Sequence, residues 1–323
     1  MEKALDFFYP LFDDECFVQF YGGEPLLGFP QIRKAVEFIQ RKNRRQRKNV
    51  TFTISTNGSL IDDSILDFFD QNNFYVQLSF DGMAQNITKK NGSFDQIVSN
   101  IKRLVEAPNI DLETNSVFTP ETLVYLTDSV SFLIDCGVPR ISVACSRMIP
   151  WLDSSLAHLK NELSSLREFL LSHHERTEKF PVVDFQKEEK KGIYVCFAGK
   201  NQMTLAADGL LWGCYMFADY FRANKNRKEF DEFCFGDLDA FIHDYENIYP
   251  QVLSNYSKLR VDRFFTPDES CRDCSYLKMC EVCPVDNLFS GSDDIREVNR
   301  ASCRMKRIFM SEKRLFRQGL ESL

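Results

Sequence analysis

Phe17-Val18-Gln19-Phe20-Tyr21-Gly22-Gly23-Glu24-Pro25 is the stretch on which the reading of this chain turns. Its first five residues, mostly aromatic or β-branched, read as a strand. Two glycines, an acid and a proline then end it. A helical pattern follows from residue 30 to about 41, with Ile32, Ala35, Val36 and Ile39 on one face. The same grammar recurs downstream. Thr51-Phe-Thr-Ile-Ser55 is a strand closed by Thr56-Asn57-Gly58, before a helix from Asp62. Tyr75-Val-Gln-Leu-Ser79 is closed by Asp81-Gly82, before a helix over 94–106. Strands over 112–118 and 141–144, with a helix from 121 to about 135 between them, complete the pattern. Regular β-then-α units imply an α/β fold with parallel strands and right-handed crossovers, in an open doubly wound sheet or a barrel. In both, the loops after the strands share one face, and ligands bind there. Singly, Gly58 and Gly82 would only permit a tight turn, and Asn57 or Asp81 would only cap a helix. Three such loops on one face point to a site.

The second informative stretch is Cys271-Arg-Asp-Cys274-Ser-Tyr-Leu-Lys-Met-Cys280-Glu-Val-Cys283-Pro284, with Cys303 after it and Cys196-x12-Gly209-x4-Cys214 before it. Paired C-x2-C units are used by four-cysteine zinc sites. Against zinc stand the tight five-residue gap and Pro284, similar to the Cys-Pro that ends ferredoxin-type runs. Seven cysteines also exceed one tetrahedral zinc and match two cubane clusters.

Together these segments resemble radical S-adenosylmethionine (SAM) enzymes with a C-terminal SPASM domain. Gly22-Gly23-Glu24-Pro25 matches the GGEP motif, whose glycines let backbone approach the ligand and whose acid faces the SAM ammonium. Ser55-Thr-Asn57-Gly58 and Ser79-Phe-Asp81-Gly82 match later strand ends of the family. The resemblance implies a partial (β/α)6 TIM-like barrel, here lacking its first strand, then a small cysteine-rich α+β domain. It implies SAM contacts at Gly22, Gly23, Glu24, Pro25, Ser55, Asn57, Ser79 and Asp81. It assigns Cys196, Cys214 and Cys283 to a first auxiliary [4Fe-4S] cluster, and Cys271, Cys274, Cys280 and Cys303 to a second. Catalytic residues stay unassigned.

The chain departs from the family in four places. Glu281 and Val282 stand where three residues are usual. Gln202 stands where some relatives have a further cysteine, which leaves an iron of the first cluster for water, a substrate thiolate or another side chain, with Cys234 as a rival ligand. Tyr215 stands where the anaerobic sulfatase-maturing branch has an acidic base, which disfavours formylglycine formation. The C-x3-C-x2-C that holds the radical-generating cluster is not found before Gly22, where Cys16 is the one thiol. A fragment or an internal start is the favoured explanation, ahead of a degenerate relative. That third cluster is expected only with an upstream segment, and the polypeptide as written should not cleave SAM reductively.

The implied function is a peptide or protein side-chain maturase fed by a low-potential donor such as ferredoxin or flavodoxin. A non-enzymatic iron–sulfur scaffold or partner subunit is the alternative from another class, and a zinc-binding structural domain is a third. Composition fits either: 323 residues, 44% hydrophobic and 27% charged, as in globular proteins. The net charge of −7 disfavours nucleic acid as a partner. No apolar run reaches the ~18 residues of a membrane helix, and no signal-peptide pattern opens the chain. A cytoplasmic location is expected, where 11 cysteines serve metals sooner than disulfides. Cys16, Cys136, Cys145 and Cys234 lie in apolar segments and are expected to be buried. The basic run from Arg41 to Lys48 reads as a solvated helix end, or else as a patch for an acidic peptide. His173 and His174 are neighbours and do not share a helix face. Domains are expected over 1–150 and 193–323, joined by a helix and linker over 151–192.

Overall fold

A computed structural model of the chain describes residues 1–89, 93–146, 149–186 and 192–322, so the expected linker residues 187–191 lie outside the described residues. The chain divides into two compact units: residues 1–146, 157–187 and 315–323 form one, and 147–156 with 188–314 form the other.

In chain order the first unit runs α1 (Glu2–Phe8), β1 (Glu15–Phe20), α2 (Phe29–Gln46), β2 (Asn49–Thr56), α3 (Asp63–Gln71) and β3 (Tyr75–Ser79). It continues with α4 (Gln85–Thr88), α5 (Ser93–Glu106), β4 (Asp111–Phe118), α6 (Leu126–Asp135) and β5 (Arg140–Cys145), then most of α7 (Asp153–Thr177) and α8 (Val183–Gln186). The strands form one sheet in the order β1-β2-β3-β4-β5, every pair parallel, with Phe20 opposite Ile54 and Ile54 opposite Val76. A doubly wound sheet reverses its strand order at a switch point, and this one does not. The fold is therefore α/β of the partial-barrel kind, with five strands.

Alternation dictates the layering. Ile54, Val76, Leu78, Leu112, Phe118 and Ile141 are buried on one face, where the apolar stripes of α2 (Ile32, Val36, Ile39), α5 (Ile97, Ile101, Leu104) and α6 (Val130, Leu133) are buried as well. Phe74 is fully buried among aromatic rings, with Phe69 at 4.7 Å and Phe52 at 5.6 Å between centroids. Burying such a ring contributes roughly 1.5–3 kcal/mol. The opposite face is half-buried and polar, because its strand residues are Thr53, Ser55, Gln77, Glu113, Asn115 and Ser142. Ser55 Oγ donates to Gln77 Oε1 (3.0 Å), Gln77 Nε2 to Glu113 Oε1 (3.2 Å), and Tyr75 OH to Glu113.

The two sheet edges differ. On β5, the Ile141 N–H donates to Pro181 O (2.9 Å) and the Val143 N–H to Asp184 Oδ2 (2.8 Å). Among the described residues no strand pairs with the outer edge of β1, where Phe17 is 71% exposed.

The second unit contains β6 (Thr204–Leu205), β7 (Leu210–Trp212), α9 (Tyr215–Ala223), α10 (Lys228–Phe233), β8 (Cys234–Asp237), α11 (Leu238–His243), α12 (Tyr245–Tyr256), α13 (Pro284–Phe289) and the larger part of α14 (Arg300–Glu321). β6, β7 and β8 form an antiparallel sheet. Asp208-Gly209 is the hairpin turn, as the sequence suggests. Tyr256, fully buried, donates its OH to Phe233 O (2.7 Å) and accepts the Gly213 N–H (2.9 Å). Gly213 has no room for a side chain, since a Cβ would lie 2.5 Å from Gly199 N and 2.6 Å from Tyr256 Cζ.

Candidate functional site

At the carboxyl ends of β1, β2 and β3 the structure gathers the polar loops. Glu24 links the first two. Its Oε1 accepts the Leu26 N–H (3.1 Å) and Thr56 Oγ1 (2.7 Å), and its Oε2 accepts the Asn57 N–H (2.9 Å). A carboxylate has about four lone-pair sites, so Oε2 keeps one for a cation. A Cβ on Gly22 or Gly23 would meet nothing within 4 Å. The backbone there is open to a ligand that approaches closely, which fits SAM. Pro25 starts the tight turn Pro25–Gly28.

The other expected contacts are placed differently from one another. Asn57 is exposed, and its Oδ1 accepts the Ser59 N–H (2.8 Å). Ser55 and Ser79 are half-buried on the polar face, Ser79 in register with Asn115. Asp81 is buried and turned into the protein: Oδ1 accepts the Val117 N–H (2.9 Å), and Oδ2 accepts Thr88 Oγ1 (2.5 Å) with Lys89 3.6 Å away. It fixes the loop after β3, with its carboxylate 3% exposed. Sequence reasoning missed Thr56, although it adjoins Asn57 in the quoted segment.

The cysteines form two groups in the second unit. Cys271, Cys274, Cys280 and Cys303 line a single cavity, with Lys306 and Arg307 in its wall. Burial, with the neighbouring thiols adding to it, pushes Cys271 up to about 12. Burial raises Cys280 to about 11 against the pull of Lys306 and Arg307. Among the described residues no three His, Cys, Asp or Glu side chains converge closely enough to hold one metal ion. A single tetrahedral zinc, with bonds of about 2.3 Å to sulfur, needs its thiolates within about 4 Å of each other. Four thiols around a shared cavity suit a wider body such as a cubane cluster.

Cys196, Cys214 and Cys283 form the other group, each acting electrostatically on another. The Cys196 N–H is anchored on Leu259 O (2.9 Å), while Cys214 and Cys283 stand at the starts of α9 and α13. Burial pushes Cys196 and Cys214 up to about 11 and Cys283 up to about 12. Backbone N–H groups oppose this, from Ala198 at Cys196, from Met216 and Phe217 at Cys214, and from Val285 and Asp286 at Cys283. N–H groups aimed at sulfur favour thiolates and hence cluster ligation. Tyr194, unremarked in the sequence, stands in the field of all three thiols, and its phenol is raised chiefly by burial.

Gln202 is exposed, and its carbonyl accepts the Gly199 N–H (3.1 Å). Of the four cysteines expected to be buried, Cys145 is, whereas Cys16, Cys136 and Cys234 are half-buried. The reason is position: β1 and β8 are edge strands, and Cys136 caps α6. The Cys234 sulfur accepts the Gly236 N–H (3.4 Å) and faces Leu211 O (3.7 Å), within the β7–β8 connection.

The description that matches residues 16–142 is the radical SAM superfamily. The radical SAM cyclopropyl synthase TigE of Paramaledivibacter caminithermalis is 23% identical over 336 residues, covering 99% of this chain and 66% of TigE. A cysteine-type anaerobic sulfatase-maturating enzyme of Clostridium novyi is 38% identical over 99 residues, 28% of this chain and 26% of the enzyme. The chain thus spans less than two thirds of the length of either relative. Native anSMEcpe, solved with bound AdoMet and Kp18Cys peptide, shares the fold at a TM-score of 0.74 and 18% identity, over 99% of this chain and 90% of that one. With the open glycine pair at the end of β1 and the two cysteine groups, the matches show a radical SAM domain over residues 16–142, in a chain that is similar over nearly all its length to enzymes of the radical SAM/SPASM kind.

Proposed function

We propose that the protein is of the radical SAM/SPASM maturase kind and modifies a side chain of a peptide or protein where an upstream segment supplies the C-x3-C-x2-C of the radical-generating cluster, which residues 1–323 do not contain. In this reading it uses SAM, two auxiliary [4Fe-4S] clusters and electrons from a low-potential ferredoxin or flavodoxin. The observation that carries it is the four-cysteine cavity beside a second, three-cysteine group, in a chain whose strand ends leave Gly22 and Gly23 open. The peptide bound to anSMEcpe supports a peptide-type substrate.

When bound, SAM and its iron–sulfur partner supply one-electron, hydrogen-abstracting chemistry. The chain's own residues do the holding. Glu24 ties the ends of β1 and β2 together and keeps one acceptor site for the SAM ammonium. Cys271, Cys274, Cys280 and Cys303 would hold one auxiliary cluster, and Cys196, Cys214 and Cys283 the other. With three thiols in that second set, substrate, water or a nearby side chain completes it. Among the described residues no helix is long and apolar enough to cross a membrane, and we place the protein in the cytoplasm.

Anaerobic reconstitution tests this reading. It should yield about eight iron and about eight sulfide per chain, as two cubanes require. One zinc without acid-labile sulfide would sink it.

A further inference from the structure

Arg307 lies one helical turn after Cys303 on α14, so both face the cavity lined by the four thiols. Its Nη2 is 3.5 Å from Cys274 Sγ. Glu269, which lines the same cavity, forms an ion pair with that guanidinium. Arg307 Nε, by contrast, is buried and has no hydrogen-bond acceptor. A buried N–H without an acceptor is destabilising. Its place in the wall of a thiol-lined cavity points to an acceptor inside that cavity, and the sulfur atoms of a bound cluster supply one.

Resting on the reading of these four cysteines as cluster ligands, we propose that Arg307 is a positioning residue that sets the reduction potential of the cluster in this cavity. It donates N–H···S to the Cys274 side and holds a positive charge at the wall, with Glu269 fixing and partly balancing that charge. One-electron reduction makes the cluster more negative without making or breaking a ligand bond. The electron comes from a low-potential one-electron donor, which is dithionite in the test. A fixed cation favours the more negative state, so Arg307 raises the potential and Glu269 lowers it. Lys306 lies in the same wall, acts on Cys280 as well and donates its Nζ to Glu281 O (2.9 Å), so its charge adds to that of Arg307 and the shift on substituting Arg307 is the share of Arg307 alone.

The test is a potentiometric titration of the reconstituted full chain, with the two tail clusters followed separately by electron paramagnetic resonance. Arg307→Gln keeps an N–H donor and removes the charge. One wave should move to lower potential by roughly a tenfold weaker hold on the electron, about 59 mV for a one-electron couple. The other wave should stay. Full iron and sulfide with neither wave moved, or with both moved equally, overturns the role of Arg307 and leaves the ligand reading standing. Parent protein without iron or sulfide overturns the ligand reading, and the proposal with it. If Arg307→Gln fails to load, Glu269→Gln decides: its amide oxygen still accepts from the guanidinium and holds it while the negative charge is gone, so the same wave must rise, and a wave that stays or falls refutes the proposal.

Discussion

Gly213→Ala tests whether close backbone approach assembles the three-cysteine group. The added Cβ would lie 2.5 Å from Gly199 N, 2.6 Å from Tyr256 Cζ and 2.9 Å from Ala198 C. Two of these atoms are backbone, so no rotamer change relieves the overlap. Overpacking of this kind costs about 1–3 kcal/mol. Displacing Tyr256 also weakens its bond to the Gly213 N–H, worth about 1 kcal/mol. The expected loss is therefore about 3 kcal/mol for the second unit. Both tryptophans, Trp151 and Trp212, belong to that unit, so urea unfolding followed by tryptophan fluorescence reports on it. Gly209→Ala is the control. It has φ of +85° but open space around its Cβ, and should cost only the strain of a left-handed residue, about 1–2 kcal/mol. Because Gly213 immediately precedes Cys214, its substitution should also lower iron at the three-cysteine group and spare the four-cysteine cavity. A Gly213→Ala protein within about 0.5 kcal/mol of the parent, or no less stable than Gly209→Ala, would refute the packing argument.

Gly23→Val should leave urea stability within about 0.5 kcal/mol, since its Cβ meets nothing, yet abolish SAM binding in calorimetry; unchanged affinity would exclude this strand end from the site. Glu24→Ala should cost about 2 kcal/mol even without SAM, because three donors lose a charged acceptor; unaltered stability would mean that the carboxylate does not clamp β1 to β2. Tyr75 is pushed above its ordinary range, first by burial and then by its hydrogen bond to Glu113. Its folded pKa is the higher one, so its contribution is complete below about pH 10 and fades as pH rises through the folded value. In an ultraviolet titration, Tyr75→Phe should remove a phenol that ionises above pH 10, and loss of an ordinary one would contradict the assignment.

Most of the fold was legible locally. Phe17 to Tyr21 reads as a strand ended by Gly22 and Gly23, and the structure places β1 at Glu15–Phe20. Thr51 to Ser55 anticipates β2 at Asn49–Thr56. The choice between a barrel-like and a doubly wound sheet was not legible from alternation, because strand order depends on where each crossover lands. The site divides along the same line. Cysteine spacing is local and pairs Cys271 with Cys274 on inspection. Glu24 meeting Thr56 across 32 residues is not local, nor is Asp81 turning inward to the Val117 N–H. Arg307 stood within reach of sequence reasoning, four residues after Cys303 on one helix face. Its significance needed the cavity, and its unmatched Nε could only be seen in three dimensions.

The unequal edges of the five-stranded sheet bear on how the protein behaves at high concentration. An open strand edge is a template for another strand. The β5 edge is blunted, with the Ile141 and Val143 N–H groups already taken by Pro181 and Asp184. The β1 edge offers its backbone beside the exposed ring of Phe17. A molecule with one sticky margin and one blocked margin cannot extend a ribbon of sheets. Two copies meeting β1 to β1 about a two-fold axis use up both margins at once. Wherever the β1 edge is left bare, self-association through this sheet would stop at a pair, and a strand laid along β1 would remove even that, whereas an equally open second edge would allow fibres.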